Sequence, residues 1–118
     1  MKIIAPMMHG VLDYVTVALF AAAPSVFHLS GLAAGIAYAL AVIHLLMTLI
    51  TAFPLSPLKV LPLYVHGWVE RIVGPAVIVM PFVIGLGGIA RMFYVTIGGV
   101  IVLIGLLSDY GAGERQST

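Results

Sequence analysis

The sequence has no cysteine, which excludes disulfides, thiol redox chemistry and cysteine-ligated zinc. Charge is almost as scarce: five basic and four acidic residues in 118, or 8% of the chain. A water-soluble domain carries about a quarter charged residues, and so few cannot cover a water-facing surface. The net charge of +1 offers no basic surface, so no nucleic-acid partner is expected. There is also no Walker loop, dinucleotide fingerprint, nucleophile elbow or H-E-x-x-H. The chain is therefore read as a non-enzyme, with no catalytic residue.

What is present is hydrophobic: 63% of the residues. Lipid-spanning helices need about 20 mainly apolar residues, and four segments qualify, at 9–29, 32–53, 64–85 and 89–109. The first and third connections are short enough to join antiparallel neighbours. The middle one holds Pro54, Pro57 and Pro62, which cannot continue a helix. A spanning β-barrel would need alternating polarity, which these continuous apolar runs lack. The expected fold is all-α, a four-helix transmembrane bundle over 1–110 followed by a short polar tail, 111–118, with the composition of an unstructured segment. Lys2, the apolar run from Val11 to Phe20 and Ala21-Ala22-Ala23 resemble a cleavable secretory signal. His9 and Asp13 interrupt the approach to that run, and the segment has a later counterpart, so it is read as a retained helix.

That counterpart is part of a repeat. Residues 2–53 align with 59–110 without a gap at an offset of 57. Lys2 meets Lys59, His9-Gly10 meets His66-Gly67, Asp13 meets Glu70, Pro24 meets Pro81, Gly31 meets Gly88 and Phe53 meets Tyr110. Two spans per copy predict parallel repeats related by a pseudo-twofold along the membrane normal. Lys2, Lys59, Arg71 and Arg115 fall on one side and Arg91 alone on the other, which predicts a multi-pass inner-membrane protein with cytoplasmic termini.

The His9-Gly10-Val11-Leu12-Asp13-Tyr14 opening, the Leu107-Ser108-Asp109-Tyr110 ending and the two prolines resemble the SPW repeat family of small bacterial membrane proteins. The triplets here are Ala23-Pro24-Ser25 and Met80-Pro81-Phe82, which keep the proline but not the serine and tryptophan. The resemblance covers the chain up to the tail, implies a membrane location and a two-helix repeat, and implies no activity.

Ionisable residues inside a membrane are costly and are candidates for function. His9 and Asp13, and again His66 and Glu70, are four apart and share a helix face. With Arg71 and Asp109 they form a candidate polar cluster near the cytoplasmic ends. The alternative is structural: acids favour helix N-termini, imidazoles suit the interface, and Arg71 pairs with Asp13, Glu70 or Asp109. On the second helix, Ala37, Ala41, His44, Thr48 and Thr51 share a face, and His44 and Thr48 are the candidate intramembrane polar residues. Counted from Phe53, His44 lies roughly 13 Å inside. Pro75 and Gly98-Gly99 predict a kink and a close helix contact. Trp68, Tyr64 and Tyr110 suit the cytoplasmic aromatic belt and Tyr94 the outer one. Met7-Met8 has no further methionine spaced to make a copper site.

Three functions fit, in this order. The first is a scaffold or accessory protein, acting in the lipid bilayer alone, as a homodimer or with a larger membrane partner; it needs no cofactor and no metal, and none is assigned. The second is proton or ion handling through the paired His-x-x-x-acid motifs. The third is a b-type haem or metal site on facing helices.

Overall fold

The computed structural model describes residues 3–108. Lys2, Asp109, Tyr110 and the 111–118 tail lie outside the described residues. Four helices follow one another: α1 (Pro6–Val26), α2 (Gly31–Ile50), α3 (Leu63–Val83) and α4 (Gly88–Leu107). Each is long and apolar enough to cross a membrane. No strand occurs among the described residues, and the chain is an all-α four-helix bundle.

The helices end where local chemistry ends them. Pro6 opens α1 in its first turn, where a missing N–H costs nothing. His28 (φ 54°) and Gly85 (φ 79°) take the left-handed conformation after α1 and α3. The Leu29 and Leu86 amides then donate to the Pro24 and Pro81 carbonyls, a Schellman closure. All four helices finish two or three residues earlier than the apolar runs suggest. At α2 and α4 the reason is a switch to extended backbone: Thr51 bridges Leu61, and Ser108 bridges Ile4. The Leu61 amide donates to Ile50 O, and the Ile4 amide to Leu107 O. With α2 ending at Ile50, His44 lies about 9 Å inside it rather than 13 Å.

Burial is inverted relative to a soluble bundle. The exposed surface carries Leu, Ile, Val, Met and Phe, including Ile72 at 69% and Val83 at 76% exposure. The interior holds His9, Asp13, Thr16, Thr48, Thr51, His66, Glu70 and Ser108. Water would favour the reverse; a hydrocarbon solvent favours this, because polar groups must find partners within the protein.

α1 packs on α2 and α3 on α4. The second pair approaches closely: a Cβ on Gly98 would meet the Ile78 amide nitrogen at 2.9 Å and Gly74 O at 3.1 Å. Gly99 faces open space, so only Gly98 of the predicted glycine pair makes the contact. Towards the turn end the core is Phe20, Ala23, Ala33, Ala37, Val77, Tyr94 and Ile97. Tyr94 corrects the expectation of an outer-belt residue. It is fully buried, and its hydroxyl donates to Ala33 O. The small residues at 33 and 37 leave room for the ring, and the carbonyl satisfies the hydroxyl, so lipid headgroups have no role there.

Candidate metal centre

The buried stripe of α1 runs through His9, Gly10, Asp13, Thr16 and Phe20, and that of α3 through His66, Gly67, Glu70, Gly74 and Val77. This three-and-four spacing places each histidine one turn before its acid on an inward face. The two faces meet. The His9 and His66 rings pack edge to face with centroids 5.4 Å apart. Gly10 is required by a neighbour: a Cβ there would lie 2.6 Å from the Phe53 ring, which in turn packs edge-on to His66.

At the meeting point His9 Nε2 lies 3.3 Å from Asp13 Oδ2 and 3.3 Å from Glu70 Oε2. His66 Nε2 lies 3.0 Å from Asp13 Oδ2 and 2.9 Å from Glu70 Oε1. One ligand atom from each of the four residues falls within 4.8 Å of every other, and all four residues are buried. Asp13 Oδ2 is enclosed and accepts no directed hydrogen bond despite these close nitrogens.

The far side of each imidazole settles its tautomer. Ser108 Oγ donates its single hydrogen to Ile104 O at 2.6 Å, so it can only accept from His9 Nδ1 at 2.7 Å. Thr51 Oγ1 donates to Met47 O at 2.6 Å and accepts from His66 Nδ1 at 2.8 Å. Both histidines therefore carry a proton on Nδ1 and turn Nε2 to the carboxylates. The two carboxylates bring two negative charges into an interior of low dielectric. Charge balance there demands two positive charges, and these are either a proton on each Nε2 or one divalent ion among the four ligands.

The distances approach those around a bound ion. Tetrahedral coordination with bonds of about 2.0–2.1 Å requires ligands about 3.3–3.4 Å apart. The four nitrogen–oxygen separations span 2.9–3.3 Å, with Glu70 presenting Oε2 to His9 and Oε1 to His66. A set of one ligand atom per residue lies within 4.8 Å, so an ion would draw the four side chains inward. Two imidazoles and two carboxylates suit a borderline divalent metal such as zinc or iron(II), and the Nδ1-to-hydroxyl bonds are the outer contacts that orient such ligands. Haem does not fit. The space between the histidines is taken by carboxylates, the cavity beside them is about 40 Å³, and the larger apolar groove, about 350 Å³, has no histidine.

Of the candidates read from the sequence, His9, Asp13, His66 and Glu70 come together. His44 joins them, with Nε2 3.4 Å from Asp13 Oδ1. Thr48 is buried but spends its hydroxyl on His44 O. Arg71 lies on the exposed face of α3, its guanidinium over the Trp68 ring at 4.9 Å. Asp109 is outside the described residues. In the sequence Thr51 stood on the His44 face and Ser108 in the Leu107-Ser108-Asp109-Tyr110 ending, and their role at the imidazoles needs the inter-helix contact. No protein family, curated protein or solved structure matches this chain.

Proposed function

We propose that this chain is a small multi-pass membrane protein that binds one divalent transition-metal ion through His9, Asp13, His66 and Glu70. The observation that carries it is the convergence of two Nε2 atoms, their other nitrogens already committed, on two carboxylates, with one ligand atom from each of the four residues within 4.8 Å of the rest. A plain scaffold is a weaker account, since packing alone does not call for four ionisable groups buried in lipid. All four ligands come from one chain, so the centre is complete without a homodimer or larger partner.

The same proposal takes the two hairpins as tandem copies related by a pseudo-twofold. It is supported by helix bounds that recur at the offset of 57 and by contacts that exchange under it. Ile4–Ser108 answers Leu61–Thr51, and His9–Ser108 answers His66–Thr51. Membership of the SPW repeat family, a bacterial inner-membrane location and cytoplasmic termini belong to this reading and rest on the sequence motifs and the basic residues.

The test is metal analysis of the full-length protein in detergent, stripped with chelator and then offered zinc, iron(II) or cobalt(II). The expected result is one ion retained per chain, lost in His66→Ala. Retention of none of these metals overturns the proposal. The charge balance would then fall to two protons, and proton handling by the same four residues becomes the better reading.

A further inference from the structure

Beside the centre a cavity of about 40 Å³ opens between α2 and α3. Its polar wall is His44, His66 and Glu70, and the rest is apolar, including Met47, Val73 and, at the lipid-facing mouth, Ile43 at 57% exposure. A water needs roughly 10–15 Å³ of such space, so this cavity holds a molecule of about three or four heavy atoms at most. Two of the four metal ligands therefore face a space that protein does not fill. The opposite side differs. The groove between α1 and α4, lined by Leu19, Phe27, Phe93, Ile97 and Val100, touches none of the four ligands. Ile101, 57 residues on from His44, is buried and apolar.

Resting on the metal reading above, we infer that the centre is an open site. The cavity between α2 and α3 admits a small uncharged, lipid-soluble ligand of dioxygen or nitric oxide size to a further coordination position. Four protein ligands complete a tetrahedral zinc site, but iron(II) accepts five or six ligands, so four protein donors leave it a position on any side that protein does not fill. The route here runs from lipid, past Ile43, to the side of the centre walled by His66 and Glu70. Its apolar lining selects against ions, and its size against anything larger. Binding is simple coordination, with no bond broken and nothing oxidised.

Nitric oxide is the probe, added without oxygen to the full-length protein loaded with iron(II), and electron paramagnetic resonance is the readout. The expected result is a protein-bound iron–nitrosyl signal distinct from that of iron in buffer. Ile43→Trp closes the mouth and is expected to lose most of that signal while retaining iron. Val100→Trp makes the matching change 57 residues on, at the other face, and is expected to keep it. Iron retained with no nitrosyl signal, or the two variants behaving alike, overturns the open site and leaves the metal reading standing. Failure to retain iron or any other divalent metal removes both.

Discussion

The two hairpins agree at one end of the molecule and diverge at the other. Near the starts of α1 and α3, each contributes a histidine, an acid and a hydroxyl in matching places: His9, Asp13 and Thr51 from the first, His66, Glu70 and Ser108 from the second. Towards the turns the first hairpin supplies Phe20 and the small Ala33, Ala37 and Ala41. The second supplies Tyr94 opposite those alanines and a close glycine contact through Gly74 and Gly98. The difference separates two kinds of constraint. Packing needs total volume, so a large ring in one hairpin can stand against a methyl group in the other. Coordination needs particular donor atoms at particular distances, and no exchange of volume substitutes for them.

The largest expected effect is at the agreeing end. His9→Ala and His66→Ala should each abolish metal retention and, by leaving buried carboxylates uncompensated, cost about 3–5 kcal/mol in detergent unfolding. Equal losses sharpen the comparison; one tolerated variant breaks it. Next come the outer partners. Thr51→Val and Ser108→Ala should each weaken metal affinity about 10–100-fold, measured by competition with a chelator of known affinity. At the diverging end, Gly98→Ala should destabilise by about 1–3 kcal/mol, because the added Cβ meets backbone atoms of α3. Gly99→Ala, facing open space, should be neutral or slightly stabilising. A similarly small effect is expected at the turns. His28→Gly, matching Gly85, should stabilise by under about 1 kcal/mol in the same unfolding assay, since it relieves a left-handed conformation.

The helices were legible because hydrophobic length is local: four apolar runs bounded by glycine or proline give four spans. Their ends were misplaced by a few residues, since apolar residues such as Phe53 continue past the last helical turn and pack as loop residues against Gly10. The His-x-x-x-acid pairs were legible as faces, because a separation of four residues is one turn of helix. Tyr94 was misread because an aromatic near a helix start looks the same whether it meets headgroups or an alanine pocket. Thr51 and Ser108 were named but not interpreted, because a hydroxyl at a helix end commonly satisfies the carbonyl one turn back, as both also do here.

Sequence alone determined the solvent, the number of helices and which residues share a face, since each depends on composition or on spacing within one segment. Tertiary structure decided that the α1 and α3 faces converge and that both imidazoles turn Nε2 to the carboxylates. It decided as well that a small cavity walled by His44, His66 and Glu70 lies beside the centre. Those outcomes depend on contacts between residues about 57 or 99 positions apart, such as His9 with His66 and with Ser108. Helical periodicity marks the side of a helix that is buried and carries no record of what it is buried against.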